Sequence, residues 1–380
     1  MTDLNNIVVT GDAGFMRRYQ IFHASLADRC THLECLVSGD AYNNSLFGTI
    51  VRGIYNRTPL ISRDKNLRAG ILHKRKAAFL RKSRQTEQKI ARLSVQPDLV
   101  LHMFGMYAPF LHPSPIPFTM TLDFTMALAV KEWPAWAPFQ TDKARRDWLD
   151  TEGDAFRRAA HLFPWSNLVK QSLMNDYGVP EDKITVIGSS GNFRTPYDGA
   201  KTFGSHQIIF NGTDWDRKGG DIVVDAFRKV RQTIPDAKLV IIGTKTPLDE
   251  PGVETPGYIT SATGMQDLFL ASDLVVAPAR CEPYGGFLVE GMNYGVPCIV
   301  SDRGAMFEIV DHDVNGLVLP ELTADCLAES IVSLLRDMPR LERFSASARN
   351  KVKTQLNWDA IAAKMFDALS RKDLPVTQTI

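Results

Sequence analysis

The chain has 380 residues, of which 44% are hydrophobic and 23% charged, with a formal net charge of +1. That length accommodates two ordinary domains with separate cores, and the near-neutral balance gives no reason to expect a nucleic-acid partner. The five cysteines are odd in number and lack paired metal spacing, so reduced thiols in a cytoplasmic enzyme are expected, with no bound metal. The opening residues show neither a basic n-region nor an apolar core, and no run approaches the roughly 20 apolar residues of a spanning helix. Neither a signal peptide nor a membrane span is expected.

In chain order, an apolar strand at residues 7–10 runs through Gly11 to Gly14, where a helix over 15–27 begins. Gly11-Asp-Ala-Gly14 is half of a dinucleotide fingerprint, without its third glycine or acidic partner, and reads rather as a tight turn where the backbone needs room. Further strands are expected at residues 32–37, 97–102, 118–122, 161–164 and 184–187. Residues 63–92 are strongly basic and should contain a long amphipathic helix. Its charged side is either a solvated face or a contact for anionic lipid headgroups or a phosphorylated acceptor. Asp123 stands just past the carboxyl end of the 118–122 strand, the end where open α/β sheets bind ligands; it could equally cap the following segment. Trp133, Pro134, Trp136, Pro138 and Phe139 form an aromatic loop that lines a groove or covers a core edge.

Residues 191–205, rich in Gly, Ser and Pro, read as a linker between a domain over 1–190 and another over 206–355. A terminal helix in 356–380 is expected to pack back on the first domain. In the second domain, strands fall at 207–210, 238–242, 273–277, 297–300 and 317–320, with a helix at 222–233. Strands alternating with helices in both halves predict parallel, doubly wound α/β sheets.

Two loops of the second half carry the chemistry. Asn211-Gly-Thr213-Asp214-Trp-Asp216-Arg217-Lys218-Gly219-Gly220 joins a strand to a helix, with two cations and two glycines suited to a diphosphate. Asp214-Trp-Asp216 imitates a metal-binding Asp-x-Asp, but the neighbouring cations already supply the charge a metal would bring. The second loop, Cys281-Glu282-Pro-Tyr-Gly285-Gly286-Phe287, opens a helix whose first amides seat a phosphate, and Glu290 follows inside that helix. Cys281 has no His near it in sequence to act as a base.

Taken together, Glu282-x7-Glu290 with Pro283, Gly285, Gly286, Gly295 and Pro297, Lys218-Gly219 before a helix, residues 235–243, and Asn315-Gly-Leu-Val resemble family 4 of the retaining glycosyltransferases. The likeness is specific from about residue 207 to 320 and faint before about 160. It implies the GT-B architecture, two doubly wound Rossmann-like domains facing across a cleft. It also implies a metal-independent retaining transferase that moves a sugar from a nucleoside-diphosphate sugar, with no other cofactor, to a saccharide or lipid-linked acceptor. By this resemblance Arg217 and Lys218 hold the diphosphate, while the amides of Gly285, Gly286 and Phe287 bind the distal phosphate and nearby sugar atoms. Glu282 contacts the sugar, Glu290 the ribose, and the loop at Gly257–Ile259 the base. Gly14 and Asp123 lie on the acceptor side. Two positions depart from the family: Thr213 stands where an arginine is common, and Leu122 where a histidine commonly precedes the acid. A nucleotide-sugar epimerase or hydrolase of the same fold, or a silent binding paralogue, are the alternatives.

Overall fold

A computed structural model of the protein describes residues 5–39, 71–244 and 248–371. They divide into two compact units: one runs to Ile187 and takes in the chain from Ala362, and the other is Gly188–Ile361.

In the first unit, β1 (Asn6–Gly11) leads into α1 (Ala13–Arg18) and α2 (Gln20–Ala27), then β2 (His32–Val37). Next come α3 (Lys76–Ile90), β3 (Leu99–Met103), β4 (Phe118–Leu122), α4 (Met126–Glu132), α5 (Asp142–Arg158), β5 (His161–Pro164) and α6 (Asn167–Asn175). The five strands are parallel, in the order β2-β1-β3-β4-β5. Every residue of β3, β4 and β5 is buried, as expected of strands covered on both faces.

Three expectations need correction here. The helix expected over 15–27 is two helices that meet at Tyr19, whose ψ of 27° leaves helical geometry. The strand expected at 184–187 reduces to a single bridge, Leu162 to Ile184, on the outer edge of β5, where the Thr185 and Ile187 amides also donate to the Leu162 and Pro164 carbonyls. Asp123 does not cap the following helix; Thr125 does, its hydroxyl accepting from the Leu128 amide. The basic stretch forms the amphipathic helix α3, which buries Phe79 and Ile90; residues 63–70 of that stretch lie outside the described residues. One of its cations is not on the solvated face, since Lys82 is buried with its ammonium 5.6 Å from the centre of the Tyr107 ring. The aromatic loop covers a core edge, with Trp136 against Phe124 and Phe139 against the buried Trp148.

The second unit runs β6 (Gln207–Asn211), α7 (Trp215–Lys218), α8 (Gly220–Thr233), β7 (Lys238–Ile242), β8 (Val253–Gly257), α9 (Ala262–Ala271) and β9 (Leu274–Ala277). Then follow α10 (Gly286–Asn293), β10 (Cys298–Val300), α11 (Met306–Ile309), β11 (Gly316–Val318), α12 (Ala324–Leu335) and α13 (Met338–Thr354), before α14 (Trp358–Ser370). Its strands are parallel in the order β11-β10-β9-β6-β7-β8. Counted within the unit this is the dinucleotide-fold order, with β6 and β9 as the neighbours between which the winding reverses. Sequence patterning missed β8 because Pro256 interrupts it. The proline is tolerated at an irregularity in the register opposite Val240–Ile242, on the sheet's edge.

The stretch read as a linker is fastened to the second unit. Tyr197 donates its amide to Asn293 Oδ1 at 3.0 Å, and Lys201 Nζ reaches the carbonyls of Leu270 at 2.8 Å and Ser272 at 2.6 Å. Asp273 accepts from the amides of Gly204 and His206. Glycine and proline gave this segment its linker composition, but its amides find acceptors on Asn293 of α10 and on Asp273 just before β9, and its Lys201 ammonium on the end of α9. Among the described residues, no helix is long and apolar enough to cross a membrane.

Candidate active site

In an open parallel sheet the ligand crevice lies outside the carboxyl ends of the strands where the winding reverses. In the second unit that point is between β6 and β9, and the loops leaving these two strands are the two charged, glycine-bearing loops of the sequence.

The β6 loop is pinned first by Asn211, whose Oδ1 accepts from the Thr213 amide at 3.1 Å and from its hydroxyl at 2.6 Å. One turn of helix, α7, then presents Arg217 and Lys218. It stops at Gly219, in the left-handed region at φ 76°, where a Cβ would sit 2.2 Å from the Pro278 carbonyl oxygen. Glycine therefore lets the first loop lie directly on the second.

Arg217 is nearly inaccessible, its side chain 9% exposed. Its Nε donates to Asp214 Oδ2 at 2.7 Å, and Nη1 donates to the Cys281 carbonyl at 2.6 Å and to Glu282 Oε2 at 3.0 Å. Burial works against its charge, but Glu282 and Asp214 outweigh that and hold the guanidinium above its ordinary range. Lys218 approaches the same Glu282 oxygen at 3.5 Å. Glu282 is thus a carboxylate drawn between two cations. Cys281 contributes its carbonyl to this arrangement, and its side chain is buried.

Beyond Glu282 the loop ends at Gly285, with φ 106°, from which α10 starts. Helix geometry leaves the amides of Gly286 and Phe287 without intrahelical acceptors, and the helix dipole adds positive potential at that end. A small pocket opens here, lined among others by Asn211, Lys218, Glu282, Gly285, Phe287 and Met306. Cation, carboxylate and helix start together suit a ligand that carries both phosphate and hydroxyl groups.

The structure brings Lys218, Glu282, Gly285 and Phe287 onto one cavity wall, with Gly286 at the helix start and Arg217 directly behind Glu282. Glu290 is outside that lining. Its Oε1 accepts from the Asn192 amide at 2.9 Å, and Gly191 packs on it so closely that a Cβ there would lie 2.4 Å from Glu290 Cγ. Thr213 lies beside the lining residue Asn211. Ile259 is half-buried in the loop between β8 and α9, against Gly264.

Gly14 and Asp123 belong to the first unit. The Gly14 amide is taken by Asp12 Oδ1 at 2.9 Å as the cap of α1, and Gly11 gives room to Met103 and Met16. Asp123 follows β4, where its charge is felt by Lys74. Nearby lies a buried acid that sequence reasoning passed over. Glu152 of α5 accepts from the Tyr177 hydroxyl and, at 3.4 Å, from the Met126 amide. Burial raises its pKa to about 7, against the pull of the Tyr177 bond and of Lys74. Burial likewise lowers Lys74 to about 8, with Glu152 acting the other way. In sequence, Glu152 was one acid in a charged helix, and only its partner twenty-five residues on marks it out.

Asp214 of the metal-like Asp-x-Asp is turned to Arg217. Among the described residues, no three His, Cys, Asp or Glu side chains converge as metal ligands would.

Residues 205–337 match the family model of glycosyl transferases group 1. The chain is 30% identical over 174 residues to the GDP-mannose-dependent alpha-(1-6)-phosphatidylinositol monomannoside mannosyltransferase of Mycobacterium tuberculosis, covering 41% of this chain and 45% of that one. It is 27% identical over 221 residues to an uncharacterized glycosyltransferase of Methanocaldococcus jannaschii, covering 52% and 56%. The chain thus spans about half the length of the curated relatives it matches. Among solved structures, sucrose-phosphate synthase of Thermosynechococcus elongatus superposes with a TM-score of 0.66 at 15% identity, over 97% of this chain and 98% of the other. HepE of Anabaena, solved with UDP-glucose, gives 0.62 at 15% identity over 96% and 99%. These likenesses show the fold: GT-B, with two Rossmann-like units.

Proposed function

We propose, from a glycosyl transferases group 1 domain over residues 205–337 and the charged cradle inside it, that this chain transfers a sugar from a nucleoside-diphosphate sugar to a saccharide or lipid-linked acceptor. The observation that carries the reading is the meeting of Lys218 and Glu282 beside the first amides of α10, at the point where the sheet reverses its winding.

A diphosphate seated on the Gly286 and Phe287 amides, with Gly285 giving close approach, places its charge beside Lys218. As the sugar's anomeric bond breaks, negative charge grows on the leaving phosphate, and a preorganised cation and helix start lower that barrier. Glu282 accepts hydrogen bonds from the sugar hydroxyls. Arg217, with Nε bonded to Asp214 and Nη1 to Cys281 and Glu282, holds that carboxylate in place and adds positive charge from behind. Glu290 reads the ribose, and the loop at Ile259 takes the base. Because these cations meet the diphosphate charge, the transfer is metal-independent in this reading. It is also retaining: the departing phosphate takes the acceptor's proton on the same face, so no protein base is required there.

For the acceptor we propose Asp123 and the α1 start at Gly14, both at carboxyl ends of the first unit's strands. The basic stretch 63–92 suits an anionic headgroup on a lipid-linked acceptor at the inner face of a membrane. The mannosyltransferase relative, named for a phosphatidylinositol substrate, supports that choice.

The test is thermal denaturation with UDP, GDP, ADP and CDP and their sugars, with guanine and uracil first because relatives' names include GDP-mannose and UDP-glucose. A bound ligand at a hundred times its Kd stabilises the fold by about 2.7 kcal/mol. No shift with any of them refutes the reading. Incubating the stabilising donor without acceptor then separates transfer from epimerisation or hydrolysis, since rapid conversion of the sugar contradicts a transferase.

A further inference from the structure

The two loops that form the cradle are crossed by arginines running in opposite directions. Arg217 reaches from the β6 loop to Cys281 and Glu282. Arg280 reaches back from the β9 loop: its amide donates to the Arg217 carbonyl at 2.7 Å and its Nη1 to the Asp216 carbonyl at 2.5 Å. Its two terminal nitrogens also grip the carboxylate of Asp221, in the first turn of α8, at 2.9 and 2.6 Å. The two crossings differ in setting. Arg217 is buried behind Glu282, whereas the Arg280–Asp221 pair lies at the outer rim with the Asp221 side chain 55% exposed.

An ion pair so open to water adds little to global stability. A forked pair nonetheless fixes direction as well as distance, because both parallel bonds must be kept. Neither residue is among those lining the cavity, so neither is placed to touch a ligand there. The pair instead joins the segment that carries Glu282 to the segment that carries Lys218. Arg280's hydrogen bonds hold the Asp221 carboxyl below its usual range, so the pair stays charged under ordinary conditions.

The geometry points to Arg280 and Asp221 as a positioning clamp that keeps Glu282 in register with Lys218 and thereby sets the affinity of the cradle for a nucleoside diphosphate and its sugar. This rests on the nucleotide-sugar reading given above. Arg217 alone does not fix the register, since it fastens the inner side of the loop and leaves the outer side to Arg280.

The experiment uses the full chain and begins with calorimetric binding of UDP, GDP, ADP and CDP to the unaltered protein. The nucleotide that binds is then titrated into Asp221→Asn, Arg280→Gln, Arg280→Lys and the Asp221→Asn/Arg280→Gln double variant, with thermal midpoints recorded for each. Both neutralising variants are expected to weaken binding about ten- to hundredfold, the scale of a misplaced site group, with midpoints within a few degrees of the parent. Arg280→Lys, which keeps charge and loses the fork, falls between. The double variant binds no worse than Arg280→Gln alone, because Asp221 acts through Arg280. Parent-like affinity in both single variants overturns the clamp, as does weakening that adds up in the double variant or simply follows a loss of thermal stability. If the unaltered protein binds none of the four nucleotides, the nucleotide-sugar reading falls before any variant is made, and the clamp falls with it.

Discussion

Gly304 and Glu282 touch through their backbones: a Cβ on Gly304, which sits at φ 65°, would lie 1.8 Å from the Glu282 carbonyl oxygen. The loop bearing the central carboxylate is therefore seated on a neighbouring turn that admits only glycine. Gly304→Ala meets two penalties, a left-handed backbone costing roughly 1–2 kcal/mol and an overlap with main chain that cannot rotate away. We expect a loss of at least ~2 kcal/mol in chemical denaturation together with loss of nucleotide binding. Unchanged binding in a folded Gly304→Ala protein would show that the seat does not govern the cradle.

Glu282→Gln keeps the shape of the side chain and removes its charge between Arg217 and Lys218. Turnover should drop by ~10²–10³, the scale seen when one preorganised polar contact to a reacting centre is lost. Circular dichroism should be unaltered. Steady-state kinetics with the donor identified by thermal shift is the measurement, and full activity contradicts the role given to Glu282.

Gly191 presses on Glu290 from the segment that enters the second unit. Ala there places a methyl 2.4 Å from Glu290 Cγ and 3.1 Å from its amide nitrogen, so the glutamate must move. Overpacking of this kind costs about 1–3 kcal/mol. If Glu290 reads the ribose, Gly191→Ala also raises donor KM while leaving kcat near the parent value. A variant that loses stability alone assigns Glu290 to fastening the Asn192 amide.

Glu152 gives a pH prediction with a definite sign. Its pKa is raised from 4.5 to about 7 in the folded protein, so between those values the folded state holds a proton that the unfolded chain has released. The stabilisation is complete below pH 4.5 and is lost as pH rises through 7, at on the order of 1 kcal/mol per pH unit. Lys74, lowered to about 8, acts in the opposite sense at alkaline pH: its contribution is present above its ordinary value of 10.5 and is lost as pH falls through 8. Glu152→Gln should flatten the stability profile between pH 4.5 and 7 and raise the thermal midpoint at pH 7. An identical profile in that variant would place Glu152's titration elsewhere.

Much of this protein was legible in its sequence because the relevant signals are short-range. Alternating apolar runs and helical stretches predict parallel sheets, since strands covered on both faces must be apolar throughout. Gly285 and Gly286 announce a helix start, and Glu282 and Lys218 stand out by their places in strand-to-helix loops. The missed elements were those where one residue misleads. Pro256 masks β8, and Tyr19 splits one expected helix into two.

Other features could be decided only by tertiary structure, because they depend on pairs of groups brought together across long sequence separations. Glu290 is bonded to an amide ninety-eight residues earlier, and Arg280 to an aspartate fifty-nine residues away. Arg217, which reads in sequence as a cation waiting for phosphate, has Nε and Nη1 turned to Asp214, Cys281 and Glu282. Sequence alone determined which residue types stand at the ends of which strands. Strand order determined which of those ends are neighbours, and so which charges meet: β6 lies beside β9, two strands that three helices and two further strands separate in the chain.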